Sequence, residues 1–197
     1  GKIKAVLDGG FVTGLRTGAV GGSAVRHLAS RSASRLAIIG TGVQGLYQAV
    51  AACSQRPITE IHLYNRSSEK LPAFIEKLQE WVGNEVTIYS SASVEDAVAE
   101  ADIVITATSS ADPVLPNDKA LLRDKLIIGI GSYQPNMQEF SQAVYELANT
   151  IYVDTEHALE ESGDLLKPLE NGWIEKDMIQ RMSSIVKIGR ASCRERV

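Results

Sequence analysis

Cysteine is scarce in this 197-residue chain, with only Cys53 and Cys193 present. The two stand far apart, without the paired spacing of a metal site and without a disulfide framework. A reducing compartment, the cytoplasm, is the simplest expectation. No apolar run reaches the roughly 18 residues that a membrane-spanning helix needs. The opening residues Gly1 to Lys4 are not followed by the apolar stretch of a secretory signal. An excess of positive charge is also missing. Twenty basic residues against 24 acidic give a net charge of −4, which disfavours broad electrostatic binding to nucleic acid or to anionic membrane. Internal repeats and low-complexity tracts are absent. What remains is an ordinary globular composition, 44% hydrophobic and 22% charged, with enough apolar surface to offset chain entropy.

Both ends read as cuts. The chain opens without Met and in mid-pattern at Lys4 to Asp8. Residues 187–197 change composition abruptly and resemble a translated sequencing adapter, so they are expected to be a non-native tail. A frayed basic tail is the alternative. Setting aside their four basic residues and one acidic residue takes the net charge from −4 to −7. Residues 1–30 are expected to form a link and a leading helix, and residues 31–186 the main domain.

Short β-branched runs alternate with segments of helical period. Arg35 to Gly40 reads as a buried strand ending in glycine. Val43 to Gln55 follows with helical spacing, and Glu60 to Tyr64 as a second strand. Ser67 and Ser68 offer an N-cap before a helix from Glu69 to Trp81. Val86 to Tyr89 is a third strand. Ser93, with Asp96 three residues on, resembles a capping box. Asp102 to Thr106, Lys125 to Ile130 and Thr150 to Asp154 complete six strand candidates. This order predicts an α/β fold, a doubly wound parallel sheet with crossover helices on both faces. The segment Thr17 to Ala29 is also helical and rich in small residues, so it is expected to approach the sheet or a ligand closely.

Gly40-Thr41-Gly42-Val43-Gln44-Gly45 is a GxGxxG motif placed between a strand and a helix, the context of a dinucleotide site. The first glycine allows a tight turn, the second lets backbone N–H groups reach a pyrophosphate, and the third permits close helix packing. The helix start adds free donors and a favourable dipole. About 20 residues on, where NAD sites usually carry a carboxylate, stand Asn65, Arg66 and Ser67. A guanidinium there can fork onto a 2′-phosphate. NADP(H) is therefore the preferred expectation and NAD(H) the second, with a solvent-facing Arg66 as the plain alternative. Thr106 to Ser110 and Ile130 to Tyr133 follow later strands, where ligands of such sheets lie.

Several stretches together resemble the ornithine cyclodeaminase/mu-crystallin family: Leu15 to Val20, Ile39 to Gln44, Ala101 to Thr108 with Pro113-Val114-Leu115, and Gly131-Ser132 followed by Pro135, Met137 and Glu139. The resemblance runs from Asp8 to about Met182. It implies a Rossmann domain, one domain of a normally two-domain subunit, and a homodimer for the full-length protein. It assigns Arg16 to a substrate carboxylate and Thr17, Gly40, Thr41, Gly42, Val43 and Gln44 to the cofactor. Asn65, Arg66 and Ser67 would read a 2′-phosphate, and Thr108 and Ser132 would border the cofactor from later strands.

One departure separates activities within that family. Tyr133 stands where the resemblance puts the proton-handling Asp of ornithine cyclodeaminases, and a phenol, with an ordinary pKa of about 10, is a poor base at neutral pH. The expected reaction is therefore NAD(P)H-dependent reduction of a cyclic imine carboxylate of the Δ1-pyrroline-2-carboxylate type. The substrate is a small molecule derived from an amino acid. The alternatives are an NAD-dependent ornithine cyclodeaminase and a mu-crystallin-like NADPH-binding protein. Tyr133 is the candidate catalytic residue, either relaying a proton or only walling the pocket.

Other polar residues carry plainer expectations. His27 reads as a helix-face residue, His62 as structural, and Cys53 as a small core residue. Ser23 lies in no nucleophile elbow. His157 with Glu156, Glu160, Glu161 and Asp164 reads as a solvated helix end rather than a metal site.

Overall fold

The computed structural model describes residues 2–186, so the expected tail at 187–197 lies outside the described residues. In chain order the elements are α1 (Gly9–Leu28), β1 (Arg35–Ile39), α2 (Val43–Gln55), β2 (Glu60–Tyr64), α3 (Leu71–Val82), β3 (Thr87–Ser90), α4 (Val94–Ala99), β4 (Ile103–Thr106), α5 (Lys119–Leu122), β5 (Leu126–Gly129), α6 (Gln142–Leu147), β6 (Ile151–Val153), α7 (Ala158–Glu161), α8 (Gly163–Glu170) and β7 (Ile179–Arg181). The main sheet has five strands in the order β3-β2-β1-β4-β5, and every pairing in it is parallel.

Alternation along the strands builds two cores, because successive side chains leave opposite faces. Leu36, Ile38, Ile61, Leu63, Ile103 and Ile105 join Leu46 of α2 and Phe74 of α3 on one face. Ala37, Ile39 and Val104 join Val98 of α4, Leu122 of α5 and Val144 of α6 on the other. Both faces of β1 and β4 are thus covered, which accounts for their near-continuous apolar sequence. Val25 of the leading helix and Ala29 just past its end also lie in the first core.

Three expectations are corrected. The strand expected at Thr150 to Asp154 does not extend the main sheet; β6 pairs in parallel with β7 as a separate two-stranded sheet. It packs over a small third core of Tyr145, Val153, Leu165 and Ile174. An apolar run signals a strand but not its partner, and Ile-Gln-Arg of β7 carries too little pattern to announce itself. Second, Ser67 makes no capping bond; residues Ser68–Lys70 form a single 3₁₀ turn, and α3 begins only at Leu71 with Pro72 in its first turn. Proline is well suited there because the N–H it lacks has no helical partner in that turn. Ser93 does cap α4, accepting from the Asp96 N–H at 3.0 Å.

Third, α1 is longer than expected and spends its small residues on α2. Gly14, Gly18, Gly21 and Gly22 are buried along one side. A Cβ on Gly14 would sit 2.5 Å from the Tyr47 ring, and one on Gly21 would land on the Gln48 side chain. Gln48 is itself wholly buried and donates from Nε2 to the Thr17 carbonyl at 2.9 Å. Gly21→Ala is therefore expected to destabilise the domain by roughly 1–3 kcal/mol through overpacking, seen as a lower urea midpoint. An unchanged midpoint would show that α1 does not pack on α2 in this way.

Candidate nucleotide-binding site

The site begins where β1 ends. Gly40 takes φ +103°, a conformation that side chains other than glycine rarely adopt. Its N–H donates to the Tyr64 carbonyl at 2.9 Å, and a Cβ would stand 2.5 Å from the Ala107 carbonyl oxygen. The turn is thereby wedged between the ends of β2 and β4. At Gly45 a Cβ would fall on the Gly40 carbonyl oxygen, so this glycine seats α2 directly on the turn.

Gly42 differs from both. Its backbone is ordinary extended chain, φ −87° and ψ −172°, yet a Cβ there would meet nothing within 4 Å. It is the N-cap of α2, without a side-chain capping bond and without an acidic residue in the first turn. The first N–H groups of the helix consequently lack intrahelical partners, and the helix dipole is positive here. Beside them Thr41 Oγ1 and Gln44 Oε1 are buried with no hydrogen-bond partner among the described residues. Open space at Gly42, unpaired N–H donors and the unpartnered Thr41 hydroxyl, which can donate, fit the phosphates of a dinucleotide.

Strand order places this loop at the switch point. From β1 the chain proceeds outward to β2 and β3, then returns to β4 on the other side, and ligands of open α/β sheets lie at the carboxyl ends of the strands beside such a switch point. Asn65 follows β2 and donates from Nδ2 to the Ser67 carbonyl at 3.2 Å. Arg66 between them is exposed and enters no ion pair among the described residues.

On the other side of the switch, Glu139 gathers the ends of β4 and β5. Its carboxylate accepts from Thr106 Oγ1 at 2.8 Å, from the Thr108 N–H at 2.6 Å and from the Gly131 N–H at 2.8 Å. Burial pushes this carboxyl above the usual range, against the pull of those donors. Asp164 of α8 supports it from behind, accepting from the N–H groups of Glu139 and Phe140, each at 2.9 Å. Burial raises the Asp164 carboxyl as well. The sequence gives no sign of either role. Glu139 stands out only as part of a family pattern, and Asp164 reads as part of a solvated helix end with His157, a reading the structure corrects. Asp164 is 6% exposed, because its donors come from a segment about 25 positions earlier.

The other expected site residues fall as follows. Ser132 faces inward: its hydroxyl donates to the Met137 carbonyl at 3.1 Å and accepts from the Asp164 N–H at 3.0 Å. The Thr108 hydroxyl accepts from the Ser110 N–H at 3.3 Å. Tyr133 is 64% exposed on the loop after β5. Arg16 is exposed on α1 and makes no ion pair among the described residues. Val43 is exposed beside Gly42.

The plain expectations hold for three residues. His27 is exposed on α1. His62 stacks on Tyr89 with centroids 5.0 Å apart. Cys53 packs against the first core, and burial pushes its thiol up to about 11, so it is not a ready nucleophile.

A parallel sheet in this order, with a glycine turn and an uncapped helix at its switch point, defines a Rossmann-type α/β domain. The profile of the ornithine cyclodeaminase/mu-crystallin family matches residues 1–197, and the chain belongs to that family. It is similar to the Δ1-pyrroline-2-carboxylate reductase of Bacillus cereus, 39% identical over 200 residues, which cover 99% of this chain and 60% of that protein. It is also similar to the ketimine reductase mu-crystallin of Rattus norvegicus, 32% identical over 84% of this chain and 51% of that protein. Among solved structures, the Δ1-pyrroline-2-carboxylate reductase of Thermococcus litoralis, in complex with NADH and L-proline, superposes with a TM-score of 0.83. The identity is 27%, over 90% of this chain and 55% of that one. The chain thus spans about 60% or less of the length of these relatives.

Proposed function

We propose that this chain is the nucleotide-binding part of an NADPH-dependent reductase of cyclic imine carboxylates, with Δ1-pyrroline-2-carboxylate as the model substrate. The observation that carries the cofactor half is the uncapped start of α2, with open space at Gly42 and the unpartnered Thr41 hydroxyl beside it. Likeness to reductases of that substrate supports the rest.

The α2 amides hold the pyrophosphate, with the Thr41 hydroxyl and the Gln44 amide N–H donating to it. Asn65 and Ser67 shape the turn after β2, and Arg66 takes the 2′-phosphate through its planar donor fork. Thr17 borders the cofactor from α1. When bound, the nucleotide would supply a hydride to the imine carbon and leave as the oxidised form, with a proton from solvent completing the amine at nitrogen. Arg16 holds the substrate carboxylate, which fixes the ring's orientation. Tyr133 closes the pocket as a wall beside the nicotinamide, near Thr108 and Ser132. The full-length protein is a cytoplasmic homodimer in this reading. No helix among the described residues is long and apolar enough to cross a membrane.

A steady-state assay of the protein from the complete gene tests the proposal. NADPH consumption with Δ1-pyrroline-2-carboxylate is the expected result. Ammonia release from ornithine without NADPH consumption would overturn it, as would nucleotide binding with neither reaction.

A further inference from the structure

We infer that Glu139 is a positioning residue for the nicotinamide half of the crevice, its carboxylate tying the chain leaving β4 to the chain leaving β5. The inference rests on the reading of the site as a dinucleotide crevice. In that reading the pyrophosphate lies at the β1 turn and the adenosine side at β2. The nicotinamide side must then extend over β4 and β5, across the switch point.

The backbone ladder does not reach far enough to hold those two loops together. Pairing of β4 with β5 ends at Thr106 opposite Gly129, and the last bond runs from the Ile130 N–H to the Thr106 carbonyl at 2.9 Å. Beyond it, among the described residues, no backbone bond joins residues 107–109 to residues 131–133. Glu139 takes over at that point. One carboxylate oxygen accepts from the Thr108 N–H at 2.6 Å, and the other from Thr106 Oγ1 and the Gly131 N–H at 2.8 Å. The side chain is wholly buried and enters no ion pair among the described residues. Its charge is met by hydrogen bonds alone, all from the two strand ends.

A carboxylate so placed has a desolvation cost of its own, and an apolar side chain in its place would leave the Thr108 and Gly131 N–H groups unpaired. The carboxylate is a good device for spacing, because each bond is charge-assisted and directional. Asp164 adds a second tier. Its carboxylate holds the Glu139 and Phe140 amides, and its own carbonyl accepts from the Tyr145 hydroxyl at 2.7 Å. The start of α8 is thereby coupled to the two loops through Glu139.

Two variants test this. Glu139→Gln turns an amide NH2 toward at least one of the N–H donors, since only one amide oxygen remains to accept. Thr106→Val removes the hydroxyl donor and leaves both backbone donors paired. The chain and both variants are titrated calorimetrically with NADPH and with 2′-phospho-ADP-ribose, which lacks the nicotinamide. Glu139→Gln is expected to weaken NADPH about 10-fold or more, and 2′-phospho-ADP-ribose less than about 2-fold. Thr106→Val should shift the same ratio in the same direction by a smaller factor. Equal loss of both ligands, as a merely structural role gives, overturns the inference, and so does no loss of either. If Glu139→Gln does not fold, the ratio measured on Thr106→Val decides. An unsubstituted chain that binds neither ligand removes the dinucleotide reading itself, and the inference with it.

Discussion

Replacing Gly42 with valine is expected to leave the fold intact while weakening nucleotide binding about 10- to 100-fold, the effect of overpacking by roughly 1–3 kcal/mol. Gly42 has an extended backbone that any residue adopts, and its Cβ direction is empty of protein. A side chain there meets only what binds the α2 amides. Gly40→Val should do the opposite. Its φ of +103° and the Ala107 carbonyl 2.5 Å from the Cβ position make the cost fall on folding, with strain and overpacking each worth about 1–3 kcal/mol. Thermal melts and nucleotide titrations of both variants separate the two roles. A Gly42→Val chain that melts like the unsubstituted protein and binds nucleotide equally well would show that the open space at Gly42 does not face the ligand.

The second large effect concerns cofactor choice. Arg66→Ala is expected to weaken NADPH about 10- to 100-fold and to leave NADH almost unchanged, since a charge-assisted phosphate contact is worth roughly 1.5–3 kcal/mol. Arg66 stands exposed beside Asn65 in the turn held by the Asn65 to Ser67 bond, and no carboxylate pairs with it among the described residues. An anion arriving there displaces no partner. Salt should erode the NADPH advantage, because the contact is exposed and screened. Equal loss of both nucleotides in Arg66→Ala would mean that the guanidinium does not read the 2′-phosphate. Tighter binding of NADH than NADPH by the unsubstituted chain would remove the preference altogether.

The glycine turn and the strands that frame it were legible in the sequence for a local reason. Gly40 answers to a neighbouring strand end and Gly45 to the Gly40 carbonyl, while Gly42 stands between them in the same short motif, and β1 and β4 announce themselves by apolar runs and β2 by alternation. The features that were not legible depend on distant partners. Glu139 is buried because donors at Thr106, Thr108 and Gly131 surround it, up to 33 positions away. Asp164 is buried because the Glu139 and Phe140 amides point at it. In sequence both look like the solvated carboxylates Glu160 and Glu161. The same holds for β6, whose apolar run was visible while its partner β7, Ile-Gln-Arg, was not. The small residues of α1 signalled a close approach but not its object, which proved to be Tyr47, Gln48 and Ala51 of α2.

Amide hydrogen exchange with and without NADPH shows where the nucleotide lies on the sheet. Protection is expected at the amides of residues 42–45 and 65–67, with a second zone at residues 108–109 and 131–133. Protection confined to other parts of the chain, or no change at saturating NADPH, would contradict this placement.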